Sequence, residues 1–169
     1  MCIRDRFMED VIGTVGNTVN KMNKMLEVVS SKSSSTDSSR IDLIPLLEEL
    51  VRMRQQTQFK PVPVLSCETD TCYVKADKDQ LLSIFGHLVQ NAQDATPDHG
   101  DIRITQSVED GQVILKFSDT GHGMDQAFIE AQLFKPFKST KGKGMGIGVY
   151  ETKQIILSLG GSINVDSTP

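Results

Sequence analysis

Apolar residues near the N-terminus recur at alternating spacings of four and three positions, as in the seam of a coiled coil or helix bundle. The seam consists of Met8, Ile12, Val15, Val19, Met22, Leu26 and Val29. This spacing predicts one long helix that packs against a partner helix. The alternative is an amphipathic helix folded onto its own domain. Gly13 and Gly16 each weaken the helix by roughly 1 kcal/mol relative to alanine, which favours stabilisation by a partner.

A serine-rich stretch from Ser30 to Ser39 follows the seam and is too poor in apolar residues to pack. Such a composition predicts a flexible linker. The chain is therefore expected to have three parts: a helix over 1–30, a linker over 31–40 and a folded domain over 41–169.

The sequence of the first part of that domain predicts a helix and two strands. Asp42 is a candidate N-cap for a helix that runs to about Gln58. Val62–Cys67 and Cys72–Ala76 are then expected to form a short strand pair, with the two cysteines facing each other across the turn.

The second part alternates helical and strand periodicity. A helix is predicted after Asp77, and its buried side carries Leu81, Leu82, Ile84, Phe85, Leu88, Val89 and Ala92. Pro97 and Gly100 end it. The later predictions are a hairpin of Ile102–Val108 and Val113–Phe117 around Asp110-Gly111, a helical turn at Glu130–Leu133, a helix over Val149–Leu159 capped by Gly160-Gly161, and a last strand at Ser162–Asp166.

Composition narrows the class of protein. The chain has 169 residues and is 38% hydrophobic, which is typical of a globular protein. Its net charge of −4 means that it lacks the positive field that would attract nucleic acids. Three cysteines without a signal sequence indicate a reducing, cytoplasmic setting. No apolar run approaches the roughly 18 to 20 residues that cross a bilayer, so no membrane contact is expected from this stretch.

The strongest candidate for chemistry is the turn Asp119-Thr120-Gly121-His122-Gly123-Met124, which follows a strand predicted to be buried over Gln112 to Ser118. The glycines permit positive φ and a close approach of a flat ligand to the main chain. A carboxylate at the end of an apolar strand needs a hydrogen-bond donor, and the exocyclic amine of a purine would serve. The alternative is an ordinary hairpin turn.

Two further stretches favour a nucleotide site. His87, Asn91 and Asp94 have helical spacing and share one face, where the Asn91 amide oxygen is a suitable ligand for Mg²⁺. The run from Ala131 to Tyr150 contains four lysines (Lys135, Lys138, Lys141 and Lys143), alternating glycines and no acidic residue. Positive charge beside exposed backbone N–H groups suits a triphosphate.

These stretches carry a family resemblance. HLVQNAQDAT resembles the N box of sensor histidine kinases, DTGHGM the G1 box, LFKPFKSTK the F box and GKGMGIG the G2 box. All four occur in the family order between about Leu81 and Asp166, and the likeness extends to gyrase-type ATPases. The resemblance implies an α/β, Bergerat-type mixed sheet covered by helices and preceded by one long dimerisation helix.

The resemblance also implies a role for each matching residue. Asp119 would bind the adenine amine, Asn91 would hold Mg²⁺, and the F box with the lysine-rich stretch would form a lid over ATP. The implied catalytic residues are Asn91, Lys141 and His87. The implied nucleotide-binding residues are Asn91, Asp94, Asp119, Gly121, Gly123, Met124, Phe134, Phe137, Ser139, Thr140, Lys141, Gly142, Lys143, Gly144, Met145, Gly146 and Ile147.

By the same resemblance, residues 8–29 match the second helix of the dimerisation and phosphoacceptor hairpin. This implies a homodimer, a response regulator as partner, and a phosphoacceptor histidine outside this sequence, so the chain alone is not expected to phosphorylate itself. The family's closing motif and last strand are likewise expected beyond Pro169. The alternatives are a gyrase-like ATPase, an anti-sigma-type serine kinase and a coiled-coil interaction module with a degenerate pocket. His87 occupies the position of the ATPases' glutamate base, which disfavours the first.

Overall fold

The computed structural model describes residues 39–137 and 146–169, all of which belong to one compact unit, Asp37–Pro169. The predicted helix over residues 8–29 and the linker up to residue 38 lie outside the described residues. The strands are β1 (Ser39–Asp42), β2 (Val64–Cys67), β3 (Tyr73–Ala76), β4 (Ile102–Glu109) and β5 (Gln112–Asp119). The helices are α1 (Leu43–Gln55), α2 (Lys78–Ala95), α3 (Gln126–Ala131) and α4 (Gly148–Ser158).

The β4–β5 hairpin forms as predicted. Its antiparallel register runs from the pair Ile102 and Asp119 to the pair Glu109 and Gln112. Asp110 (φ 50°) and Gly111 (φ 76°) both adopt left-handed conformations, which match the twist of a two-residue hairpin turn. The turn therefore fixes the register that brings Asp119 to the end of β5.

The prediction that β2 pairs with β3 is wrong. β2 lies parallel to β4 in the sheet β2-β4-β5, whereas β3 is antiparallel to β1 in a separate sheet. The intervening turn bonds to β4 instead: the Glu68 N–H donates to the Gln106 carbonyl at 3.0 Å, and the Glu68 side chain accepts from the Val108 N–H at 3.1 Å. The linker boundary also moves, because Ser39 and Arg40 pair with β3.

The two cysteines next to that turn consequently lie in different sheet environments. Cys67 ends β2 and is half-buried, while Cys72 precedes β3 and is buried; both are free thiols. Burial is the main reason that the pKa of each thiol is raised above its ordinary value. Both side chains are therefore expected to remain protonated near neutral pH.

Each helix begins or ends at a residue whose chemistry explains the boundary. The Asp42 carboxylate caps α1 by accepting from the Ile44 N–H at 3.2 Å, and α1 ends three residues before the predicted Gln58. Asp77 caps α2 as predicted. At the end of α4, Gly160 has a φ of 77°. Capping by Asp125 starts α3 at Gln126, four residues before the predicted helical turn.

The core lies between the helices and one face of the sheets. Leu47 of α1, Ile84 of α2 and Ile104 of β4 are almost fully buried. The rings of Phe85 and Phe117 are 5.8 Å apart and join α2 to β5. The mixed sheet covered by helices confirms the predicted architecture. β5 is only half-buried, contrary to prediction, because its alternate side chains point away from α2.

The predicted strand at Ser162–Asp166 is absent from the described structure. Residues 161–169 form no strand there, and the described sheet β2-β4-β5 ends at β5. Across residues 39–137 and 146–169, no helix has the length and apolar character needed to cross a membrane.

Candidate nucleotide-binding site

The turn after β5 presents the Asp119 carboxylate to solvent. Its Oδ1 accepts a hydrogen bond from the Gly121 N–H at 2.9 Å, which fixes the side chain over the start of the turn. The carboxylate is exposed, and its Oδ2 accepts no hydrogen bond from residues 39–137 and 146–169. Asp119 can therefore accept a further hydrogen bond from a ligand without giving up the bond that orients it.

The same turn is fastened to the C-terminal end of α2. The His122 N–H donates to the Ala95 carbonyl at 3.2 Å, and a Cβ on Gly121 would lie 2.7 Å from that carbonyl oxygen. Thr120 adds two bonds to Asp101: its N–H donates to the Asp101 carbonyl at 3.1 Å, and its hydroxyl accepts from the Asp101 N–H at 2.9 Å. Glycine at position 121 is thus required by the approach of the turn to the helix.

Gly123 is required by the chain's own backbone as well. It has a φ of 66°, and a Cβ there would collide with the Thr168 carbonyl. The neighbouring Met124 N–H donates to the Ser167 hydroxyl at 3.0 Å. The sequence predicted that these glycines make room for a ligand. In the structure they make room for α2 and for the C-terminal residues, two contacts that local sequence could not reveal.

The predicted polar face of α2 connects this turn to the start of α4. His87, Asn91 and Ala95 are spaced by four residues and form one stripe along the helix. At one end of the stripe, Ala95 contacts Gly121. At the other end, a Cβ on Gly148 would lie 3.4 Å from Cγ of His87, so the imidazole packs against the first residue of α4. The half-buried Asn91 lies midway.

Asp94 extends this face toward solvent. Its Oδ1 accepts from Nε2 of Gln90 at 2.8 Å. Sequence reasoning singled out Asp94 but missed Gln90, although a Gln–Asp pair spaced by four residues is a known stabilising pair on helices. The Asp94 carboxylate is therefore bonded to a neighbour outside the predicted site.

The glycine- and lysine-rich segment is described only at its two ends. Residues 138–145 lie outside the described structure, and with them the candidate residues Ser139, Thr140, Lys141, Gly142, Lys143, Gly144 and Met145. The Phe137 N–H donates to the Gly146 carbonyl at 2.9 Å, so the two ends of the segment meet. Phe137 and Gly146 both have positive φ, 63° and 64°.

Aromatic and apolar contacts anchor these ends. The Lys153 ammonium of α4 lies 4.3 Å from the centre of the Phe134 ring, and Phe134 and Phe137 are both half-buried. Ile147 is buried and immediately precedes α4. The segment that the sequence predicts to bind phosphates therefore begins and ends beside α4.

The donor groups present fit a magnesium nucleotide better than a protein-only metal site. Within residues 39–137 and 146–169, no group of three or more His, Cys, Asp or Glu side chains is placed to hold a metal ion. Mg²⁺ commonly keeps most of its ligands as water and phosphate oxygens, so a single amide oxygen such as that of Asn91 is compatible with it.

Comparison with known proteins identifies this arrangement. The model of the family described as histidine kinase-, DNA gyrase B-, and HSP90-like ATPase matches residues 76–169, which contain α2, β4, β5, the turn and α4. The chain belongs to this family. It carries the ATP-binding catalytic domain of the histidine kinase type, as its similar proteins show.

Two curated relatives and one solved structure illustrate the likeness. Sporulation kinase A of Bacillus subtilis (strain 168) is 35% identical over 104 residues, covering 62% of this chain and 17% of the relative. Sensor histidine kinase ZraS of Klebsiella oxytoca is 33% identical over 99 residues, covering 58% of this chain and 21% of the relative. The histidine kinase ThkA in complex with response regulator protein TrrA has a TM-score of 0.61 at 19% identity, covering 85% of this chain and 43% of that one. The chain thus spans less than a quarter of the length of these two curated relatives.

Proposed function

We propose that this histidine kinase-type domain binds ATP with Mg²⁺ and transfers the γ-phosphoryl group to a histidine of a two-component sensor kinase. The observation that carries the proposal is the stripe on α2. It joins the Asp119 turn at Ala95 to the start of α4 at His87, with Asn91 midway. With a rise of 1.5 Å per residue, its two ends are about 12 Å apart along the helix.

That separation assigns different parts of ATP to different parts of the site. Asp119 would accept a hydrogen bond from the adenine amine at the Ala95 end. The phosphates would lie toward α4, where Lys141 and the alternating glycines of residues 142–146 would bind them. Asn91 would supply the one protein ligand to Mg²⁺ between them. These residues would contribute positioning and charge neutralisation, the main requirements of phosphoryl transfer.

The packing of His87 favours kinase over ATPase chemistry. A gyrase-like ATPase needs a general base at this position with access to a water molecule. The imidazole here packs against Gly148 and joins two helices. We therefore assign His87 a positioning role, and we place the acceptor of the phosphoryl group on another segment or subunit.

The partners follow from the relatives. The similar kinase ThkA was solved with a response regulator, which supports a receiver domain as the final phosphoryl acceptor for this protein too. The apolar seam of residues 8–29 supports a homodimer through a helical hairpin.

Incubating the 169-residue chain alone with γ-labelled ATP should leave it without acid-labile, base-stable label, since its only histidines are His87, His99 and His122. Such a label on any of the three would contradict this assignment.

The decisive experiment for the site is Asp119→Asn, measured by calorimetric titration with ATP and Mg²⁺. The substitution removes the charged acceptor, so we expect binding to weaken by about 1.5 to 3 kcal/mol, roughly 10- to 150-fold. Asp110→Asn is the matched control, because it removes the same charge at the opposite end of the hairpin. Equal affinities of Asp119→Asn and wild type would refute the assignment of the adenine site.

A further inference from the structure

Arg54 connects α1 to the middle of α2. Its Nη1 donates to Oε1 of Gln90 at 2.9 Å and to Oε1 of Gln93 at 3.3 Å, and its Nη2 donates to the Gly86 carbonyl at 2.9 Å. The three acceptors have helical spacing on α2, so the half-buried guanidinium lies along one stripe of that helix. A Cβ on Gly86 would lie 3.9 Å from Nη2, an ordinary contact distance, so the guanidinium lies close to this part of the helix.

Gln90 passes this contact on to Asp94. Its Oε1 accepts from Arg54, while its Nε2 donates to Oδ1 of Asp94 at 2.8 Å. The reversed amide would direct donors at the guanidinium and an oxygen at the carboxylate, so the two neighbours together select one orientation. The result is a series of hydrogen bonds from the Arg54 guanidinium through the Gln90 amide to the Asp94 carboxylate, in which each bond polarises the next.

This series of hydrogen bonds ends at the face of α2 that carries Asn91. Asp94 is exposed, and the bond from Gln90 restricts the rotamers of its carboxylate. We propose that Arg54 is a positioning residue of the nucleotide site, which acts through Gln90 to hold the Asp94 carboxylate beside Asn91. This inference rests on the proposed function, and it extends the site to α1, a helix outside the four sequence motifs.

The test measures the affinity of the whole chain for ADP with Mg²⁺ by calorimetry. Arg54→Met and Gln90→Met each interrupt the chain of hydrogen bonds, and both should weaken binding about 10-fold, the usual scale for losing a supporting partner of a site. Arg52→Met is the matched control, since Arg52 is an exposed arginine in the same last turn of α1. It should bind ADP as wild type does.

A double-mutant cycle separates positioning from general stabilisation. If Arg54 acts through Gln90, the double variant Arg54→Met/Gln90→Met should bind no more weakly than Arg54→Met alone. Gln90→Met leaves the bond from Arg54 to Gly86 in place, so it tests the proposal even if Arg54→Met fails to fold. Melting temperatures are measured in parallel, because a purely structural role would lower them without changing the affinity of the folded protein.

The possible outcomes are distinct. Wild-type affinity of folded Gln90→Met, or additive losses in the double variant, would overturn the role of Arg54 while leaving the proposed function intact. Failure of the wild-type chain to bind ADP with Mg²⁺ would overturn the proposed function and this inference with it.

Discussion

The two helices that flank the candidate site are held in different ways. α2 begins with the Asp77 side chain bonded to the Gln80 N–H at 2.8 Å, and it buries Leu81, Ile84, Phe85, Val89, Ala92 and Gln93. α4 begins at Gly148 after Ile147, which makes no side-chain cap bond, and the only side chain in this described helix that is fully buried is Thr152. α2 is therefore deeply buried, whereas α4 contacts His87 and Phe134 and packs against the core through the partly buried Ile155 and Ile156.

This difference has a functional counterpart. The first N–H groups of an α-helix lack intrahelical acceptors, and a helix without a side-chain cap leaves them for solvent or a ligand. The start of α4 directly follows the segment proposed to bind phosphates, where a partial positive charge is favourable. Under the proposed function, α2 would position the groups that bind the nucleotide, and the uncapped start of α4 would offer N–H groups to its phosphates.

The largest expected difference between the helices is the loss of stability when an apolar side chain that packs against the core is truncated. Ile84→Ala in α2 removes an almost fully buried side chain and should lower the free energy of unfolding by about 2 to 5 kcal/mol. Ile155→Ala in α4 removes a half-buried side chain and should cost clearly less. Urea denaturation of both variants measures the difference. Equal losses would show that α4 is as firmly packed as α2.

The next largest effect on stability is expected from the N-cap of α2. Asp77→Ala removes the acceptor for the Gln80 N–H and should lower the free energy of unfolding by about 1 kcal/mol. Asp79→Ala is the control, because it removes a carboxylate of the same first turn that is not the cap. Thermal unfolding compares the two. A loss for Asp79→Ala as large as that for Asp77→Ala would assign the effect to charge instead of capping.

Thr152 offers a stabilising change in α4. Its side chain is fully buried, and its hydroxyl has no hydrogen-bond partner within the described structure. Thr152→Val replaces the hydroxyl with a methyl group of similar shape and should raise the free energy of unfolding by about 1 kcal/mol, since an unsatisfied buried group is removed. Thr71→Val, at an exposed turn position, provides the comparison in the same melting experiment. A destabilised Thr152→Val would mean that the hydroxyl has a partner.

The smallest expected effect is that of Gly86→Ala in α2. Glycine inside a helix is less favourable than alanine by about 1 kcal/mol at most, and the new Cβ would make only an ordinary contact with Arg54. We expect a gain of stability below this limit and unchanged affinity for ADP. Weaker binding of ADP would indicate that the methyl group displaces the guanidinium, and it would strengthen the connection between Arg54 and the site.

The sequence by itself determined the features that depend on neighbouring residues. The Asp110-Gly111 turn needs positive φ at both positions, Asp42 and Asp77 have the chemistry of helix caps, and the four motifs keep their order along the chain. Helical spacing also placed His87, Asn91 and Asp94 on α2. These properties extend over a few residues, so propensity and periodicity suffice to predict them.

Only the tertiary structure decided the contacts between distant segments. β2 and β3 were predicted to pair because they are adjacent in sequence, yet each finds a better partner elsewhere, β4 and β1. The need for glycine at 121 comes from Ala95, and Arg54 bonds to acceptors 32 to 39 positions away. Such contacts depend on how whole elements pack around a common core, and no local pattern of polar and apolar residues specifies them.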